Sequence, residues 1–462
     1  MIARIGAAIS RVFEKSAPDP FVLAVLLTLL TALLALTLGS FPDKPDNASR
    51  ATFLLDAWRG DAGLWRFLAF AMQMCLILVT GHALAASRPV ARLIEALASL
   101  PRTAPTAAAM IGLVAALFGL VNWGLGLIVG ALLAREVGRS LRKRGARAHF
   151  PLLAAAGYMG MLVWHGGLSG SAPLTMTTRA GAEKVLPPST LERFPEGVPL
   201  SETLLSPMNL LATAGALLII PTLLALLSPP ADHPARPAPD DPAQRPSPAA
   251  PPRPRTLPDL LHESPALAWG LGVALLAAVL RYGSVDGLAR VGLNEVNATM
   301  LGLGLLLHGS TASYARAAED GARGCAGVIL QFPLYAGIMA LLVASGLIES
   351  FSRALAATAT AQTLPLLTYF SAAVVNLFVP SGGGQRAIQG PIALEAGAAA
   401  GVHPAKMIMA VAYGDQLTNM LQPFWALPLL AITGVKAREI VGACATVMVA
   451  VGAWYALVLL VF

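Results

Sequence analysis

Residues 103–134 read TAPTAAAMIGLVAALFGLVNWGLGLIVGALLA, 32 positions without a charge between Arg102 and Arg135. As one straight helix this stretch would extend about 48 Å at 1.5 Å per residue, well beyond a hydrocarbon core of about 30 Å. Near its middle lies a breaker, Asn122-Trp123-Gly124-Leu125-Gly126. Both flanks are basic: Arg88, Arg92 and Arg102 precede it, and Arg135, Arg139, Arg142, Lys143, Arg144 and Arg147 follow. Lys and Arg accumulate in cytoplasmic loops, so both ends belong on one side of a membrane. A re-entrant hairpin satisfies that and a single crossing does not. Residues 354–385, ALAATATAQTLPLLTYFSAAVVNLFVPSGGGQ, repeat the pattern with 32 uncharged positions between Arg353 and Arg386. Their breaker is Pro380-Ser381-Gly382-Gly383-Gly384.

Composition agrees. Of 462 residues, 56% are hydrophobic and 12% charged, against about 25% charged in a soluble domain. That excludes an ordinary cytosolic enzyme, a nucleic-acid binder and a disordered regulator. The expected partner is the lipid bilayer, and the net charge of +7 reads as basic cytoplasmic loops. Cys75, Cys325 and Cys444 lie inside apolar runs without metal-ligand spacing and read as small hydrophobes.

Apolar stretches of spanning length occur at 21–38, 67–86, 206–228, 324–348 and 440–462, with weaker ones at 150–178, 264–280, 291–308 and 406–433. The first is followed by no A-x-A-like site at Gly39-Ser40-Phe41, so it is expected to remain as a span. Charge then predicts an all-α polytopic membrane protein with about nine transmembrane helices and two oppositely oriented re-entrant hairpins. The N-terminus is cytoplasmic and the C-terminus periplasmic. The predicted organisation is a membrane half 1–228 with a cytoplasmic-side hairpin 103–134, a cytoplasmic linker 229–263, and a membrane half 264–462 with an outer-side hairpin 354–396. Within the linker, 229–258 holds 12 of the 35 prolines and reads as a semi-rigid tether.

The halves echo each other. Thr80-Gly81 with Ser87-Arg88 matches Ser345-Gly346 with Ser352-Arg353, Val121-Asn122-Trp123 matches Val375-Asn376-Leu377, and Leu168-Ser169-Gly170 matches Leu417-Thr418-Asn419. Inverted repeats with interrupted helices are an architecture of secondary transporters, whose sites lie near the midplane.

Polar groups inside hydrocarbon mark a site by default, and they gather at four places. Two are the hairpin breakers, whose glycines free carbonyls for a cation and N–H groups for an anion. For the first, tight packing is the plain alternative, because Gly126 and Gly130 form a G-x-x-x-G pair. The other two interrupt spans: His165-Gly166-Gly167-Leu168-Ser169-Gly170-Ser171-Ala172-Pro173 and Tyr413-Gly414-Asp415-Gln416-Leu417-Thr418-Asn419. Such backbone is tolerated at membrane depth only when buried or lining a cavity. Its hydroxyl, amide and carbonyl oxygens suit Na⁺. Asp415 can carry a coupling proton or balance a cation, or else pair with Lys436 or Arg438. His165 belongs to the residue type that takes up a proton near neutral pH; it can also donate to a carboxylate or sit as a satisfied core residue. Arg386 offers a fork matched to a carboxylate; its alternatives are snorkelling or pairing with Glu395. Gln331-Phe332-Pro333-Leu334-Tyr335 supplies a kink with two polar tips, for architecture or for the site.

The 375–395 stretch VNLFVPSGGGQRAIQGPIALE resembles the bacterial short-chain fatty acid transporter family, the acetoacetate/butyrate (AtoE-like) transporters. The resemblance extends through Asn122-Trp123-Gly124-Leu125-Gly126-Leu127-Ile128, the His165 and Asp415 segments, and Gln331-Phe332-Pro333-Leu334-Tyr335-Ala336-Gly337-Ile338-Met339. It implies uptake at the bacterial inner membrane by symport, membership of the ion-transporter superfamily, and a homodimer moving by an elevator-type shift. Arg386 stands where the family is associated with an aromatic residue, so it is no family-wide anchor.

For a transporter, the expected Na⁺ ligands are Asn122, Ser169, Asn376, Thr418 and Asn419, with Ser171 and Asp415 also in the coupling set. The carboxylate would meet Ser381, Gly382, Gly383, Gly384 and Gln385, joined by His165 and Arg386, and its short tail would lie against Trp123 and Phe378. No cofactor is expected; the coupling ion is Na⁺ or H⁺. Two other readings compete. Gly167-Leu168-Ser169-Gly170 matches the G-x-S-G of rhomboid-type intramembrane serine proteases, yet a protease needs a base within reach, and His165 is on the same segment while His308 ends a span. A passive anion channel would leave broken helices in both halves unexplained.

Overall fold

The computed structural model describes residues 18–41, 46–183, 191, 197–229, 238, 256–287, 292–379 and 382–462. Every regular element among them is helical. In chain order the main helices are α1 (Pro20–Leu38), α2 (Asn47–Arg59), α3 (Leu68–Ala86), α4 (Arg88–Ser99), α5 (Ala104–Val121), α6 (Trp123–Lys143), α7 (Phe150–Gly157), α8 (Ser171–Met176) and α9 (Pro207–Leu227). There follow α10 (Pro265–Asp286), α11 (Leu293–His308), α12 (Thr311–Ala322), α13 (Ala326–Ala344), α14 (Leu347–Ala357), α15 (Leu364–Phe378), α16 (Gly382–Ala400), α17 (Pro404–Thr418), α18 (Pro423–Thr433) and α19 (Ala437–Val461).

Seven helical stretches among the described residues are long and apolar enough to cross a membrane, including α1, α3, α5, α9 and α19. The apolar side chains of α1 and α10 point away from the protein. Leu29 and Leu33 on α1 and Trp269 and Leu280 on α10 are more than half exposed, as a helix bathed in lipid requires.

The first uncharged stretch folds back on itself. Asn122 does this alone, where five residues were expected to break the helix. Its backbone is extended (φ −155°, ψ 127°), its N–H closes α5 on Phe118 O, and its Oδ1 accepts from Leu125 N to start α6. Trp123, Gly124 and Gly126 are already helical, and α6 runs on to Lys143, past the expected end at 134. The arms approach through small residues: a methyl placed on Gly126 would lie 2.5 Å from Gly119 N. One placed on Gly130 would lie 2.1 Å from Gly157 O and 2.9 Å from Ala115 Cβ. The G-x-x-x-G pair is therefore a packing seam that joins α6 to both α5 and α7, as small residues do between membrane helices.

The second stretch folds back later than its sequence suggests. Its beginning belongs to α14, Leu347–Ala357, and the two arms are α15 and α16. Gln385 Nε2 donates to Ala372 O at 2.8 Å across them. The glycines Gly382, Gly383 and Gly384 form the first turn of α16. Pro380 and Ser381 lie outside the described residues, as does most of the proline-rich linker. Of that linker, Ala238 is buried and accepts from Arg142 Nη1 at 2.8 Å, and Leu257–Glu263 is a short helix.

Candidate functional site

Both spans are interrupted, though not at the predicted limits: the first breaks already at Tyr158, ahead of His165, and the second only at Asn419, with residues 413–418 still helical. After α7 the chain passes through two 3₁₀ turns, Met159–Leu162 and Trp164–Gly166, before α8. After α17 it passes through one, Asn419–Leu421, before α18. A 3₁₀ turn frees backbone groups that a continuous α-helix would pair; here Leu120 O takes up Leu168 N–H, and Tyr158 OH takes up the carbonyls of Asn419 and Gln422.

The tip of the first hairpin docks on the first break. Trp123 N donates to Ser169 Oγ at 3.1 Å and Leu168 N to Leu120 O at 2.7 Å. The tip of the second hairpin docks on the second break. Asn376 Nδ2 donates to Thr418 Oγ1 at 3.0 Å and to Asn419 Oδ1 at 2.9 Å, while Thr418 Oγ1 donates to Ala373 O at 2.8 Å. Gln422 Nε2 donates to Asn376 O at 2.7 Å and also to Leu377 O. The residues that echo each other in sequence hold comparable positions: Asn122 caps the end of α5, Asn376 lies in the last turn of α15, and Ser169 and Thr418 present hydroxyls to the tips.

Of the five expected Na⁺ ligands, Asn376, Thr418 and Asn419 are joined directly at the second tip, whereas at the first tip Ser169 meets Trp123 N, the neighbour of Asn122, whose own Oδ1 accepts from Leu125 N. The breaks also meet each other. His165 N donates to Gln416 Oε1 at 2.9 Å, and His165 Nε2 stands 3.5 Å from Asp415 Oδ2, both side chains buried. Asp415 therefore faces His165. Tyr158 OH donates to Asn419 O at 2.8 Å, and Tyr413 OH to Asn209 Oδ1 at 2.9 Å. Asn209 Nδ2 in turn donates to Gly166 O at 3.0 Å. Tyr158, Asn209 and Gln422 lie outside the four polar places that the sequence marks, Tyr413 and Gln416 lie within one of them without an assigned role, and only the fold shows what each joins.

Arg386, in α16, reaches across to the first half, donating through Nη1 to Ser171 O and to Thr175 Oγ1 at 2.6 Å. It therefore points inward rather than snorkelling, and Glu395 lies 3.8 Å from Arg353. Gln385 and Gln389 are buried and joined at 2.9 Å. Phe378 ends α15, and Trp123 sits in an aromatic group, 5.0 Å from Trp425 and 6.3 Å from Trp164.

Several buried polar atoms in this region make no hydrogen bond: Asn376 Oδ1, Gln385 Oε1 and Gln422 Oε1, together with Ser171 Oγ, Arg386 Nε, Asn419 Nδ2, Gln416 Nε2 and His165 Nδ1, while His165 Nε2 has only the Asp415 carboxylate at 3.5 Å. Burying such an atom idle costs about 1–3 kcal/mol, so their concentration at the tips and breaks marks a place built to receive something. No three His, Cys, Asp or Glu side chains gather as a metal site among the described residues.

Comparison with known proteins agrees with this picture. The family model described as "Short chain fatty acid transporter" matches residues 1–462. A protein of Escherichia coli (strain K12) is 38% identical over 468 residues, covering 100% of both chains. One of Haemophilus influenzae is 35% identical over 455 residues, covering 97% of each. Both bear provisional names as short-chain fatty acid transporters. Among solved structures, the Alcanivorax borkumensis YdaH transporter aligns over 96% of this chain and 98% of its own at 18% identity and a TM-score of 0.43, a likeness on which nothing here rests. Full-length family membership sets the protease reading aside, and the chain, an all-helical membrane protein, belongs to the short-chain fatty acid transporter family of membrane transporters.

Proposed function

We propose that this protein takes up short monocarboxylates of the butyrate and acetoacetate class across the bacterial inner membrane, with Na⁺ as the coupling ion. Family membership supports the substrate class. The observation that carries the coupling is the idle oxygen set at the second tip, Asn376 Oδ1, Gln422 Oε1 and Gln385 Oε1, beside Thr418 and Asn419. Hard cations take oxygen ligands, and a buried oxygen cluster with nothing to bind is costly. A carboxylate crossing hydrocarbon alone is prohibitive, whereas one that enters with a cation is neutralised. Na⁺ bound between Asn376, Thr418 and Asn419 would tie the hairpin to the break and order the first turn of α16. Its N–H groups at Gly382, Gly383 and Gly384, with Ser381 and Gln385, then receive the carboxylate. Asn122 with Ser169 forms the matching place on the first hairpin. A second reading, proton coupling, is favoured by one observation, the buried His165–Asp415 pair at 3.5 Å.

The topology that goes with this reading has nine spans and two oppositely facing re-entrant hairpins in an inverted repeat, with the N-terminus cytoplasmic and the C-terminus periplasmic. Alternating access follows from moving the hairpins and broken helices as one body, in a homodimer. Competition tests the substrate class. Uptake of labelled butyrate by proteoliposomes should be suppressed by excess acetoacetate or acetate and left intact by excess succinate. Equal suppression by succinate would remove the monocarboxylate assignment.

A further inference from the structure

We infer that the aromatic group beside the first hairpin tip is a receiving box for the substrate carboxylate, with the indole N–H groups of Trp164 and Trp425 and the hydroxyl of Tyr335 as its donors. This rests on the proposed uptake of short carboxylates and assigns further residues to it. The rings form one connected set drawn from α6, the 3₁₀ turn Trp164–Gly166, α13 and α18. Trp123 meets Trp425 and Trp164 at centroid distances of 5.0 and 6.3 Å. Phe424 lies 5.0 Å from both Trp425 and Tyr335 and stacks on Phe332 at 4.0 Å.

The donors decide the reading. Trp164, Trp425 and Tyr335 are 4%, 4% and 0% exposed, and Trp164 Nε1, Trp425 Nε1 and Tyr335 OH all lack a partner. A cluster serving only to pack needs no such groups, as Phe332 and Phe424 beside them show. Buried Trp and Tyr usually find an acceptor, and leaving one without costs about 1–3 kcal/mol. These three donors have no acceptor, and a carboxylate is acceptor-only with about four lone-pair sites. The surrounding ring faces suit a short apolar tail. These donors come from residues other than the Gly382, Gly383 and Gly384 turn of the second hairpin, so the carboxylate would have two donor sets available in one transport cycle.

Ring-conserving changes test it in the full-length protein. Trp425→Phe, Trp164→Phe and Tyr335→Phe each remove one donor and keep a ring in place. In proteoliposomes each should raise KM for butyrate at least fivefold while the maximal rate stays within about twofold, in line with the loss of one buried hydrogen bond. In detergent, butyrate should quench tryptophan fluorescence of the unaltered protein, butanol should not, and the Tyr335→Phe variant should need correspondingly more butyrate. Butyrate uptake with KM unchanged in all three variants overturns the box and leaves the uptake reading standing. A fall in maximal rate at constant KM reports a packing role and also overturns it. Quenching weakened in the variants, with no uptake of any short acid by the unaltered protein, supports the box and overturns the uptake reading instead.

Discussion

Replacing Asn376 by alanine is expected to lower Na⁺-driven uptake by about 10- to 100-fold at limiting Na⁺. The side chain is fully buried and donates to both Thr418 Oγ1 and Asn419 Oδ1. Its removal takes away one idle oxygen and leaves a second, Asn419 Oδ1, without its donor. Each buried polar atom so affected is worth about 1–3 kcal/mol, and each 1.4 kcal/mol is about tenfold in an equilibrium. The loss should fall on cation affinity. The Na⁺ concentration for half-maximal butyrate uptake should rise in Asn376→Ala, and saturating Na⁺ should restore much of the rate. A reduced rate with an unmoved half-saturation point would show that Asn376 only braces the hairpin.

The second large effect concerns the fold. Gly130→Ala should sharply reduce the yield of folded protein, because its methyl would meet Gly157 O at 2.1 Å and Ala115 Cβ at 2.9 Å. Neither a backbone carbonyl nor a short neighbour can turn aside, so α6 must separate from α5 and α7. Overpacking of this kind costs about 1–3 kcal/mol or more, and a displaced hairpin tip would also lose its docking on Ser169. Gly270→Ala is the control: nothing lies within 4 Å of its added methyl, and alanine is the better helix former by about 1 kcal/mol. Size-exclusion chromatography in detergent should show an aggregated or depleted Gly130→Ala sample and a normal Gly270→Ala one. Equal behaviour would mean that the close packing seen at Gly130 does not hold the hairpin together.

Much of this was legible from charge and breakers alone. Thirty-two uncharged residues are too many for one straight span, and each stretch is divided, the first into α5 and α6 and the second into the end of α14, α15 and the start of α16. Asn122 and Asn376 stood out because an amide in hydrocarbon is costly, and they lie at or within one turn of the ends of the two first arms. Ser169, Thr418 and Asn419 were recognisable from the echo between halves. What could not be read is long-range pairing. Nothing near Arg386 in sequence indicates Thr175, more than 200 positions away, and nothing near Asn209 indicates Tyr413. The extent of helix at the tips was also misread: glycines suggested open loops, whereas Trp123, Gly124 and Gly126, like Gly382, Gly383 and Gly384, lie within first turns. Glycine permits irregular backbone without compelling it, and a single extended residue, Asn122, was enough to turn the chain.

The measurement that tests the central claim most directly is uptake of labelled butyrate and acetoacetate into proteoliposomes, with Na⁺ and pH gradients imposed separately, on the unaltered protein and on Asn419→Ala. An inward Na⁺ gradient at matched pH should drive accumulation in the unaltered protein, and the Asn419→Ala variant should lose it. Uptake driven by the pH gradient alone and indifferent to Na⁺ would contradict the oxygen site at the second hairpin and place the coupling at His165 and Asp415.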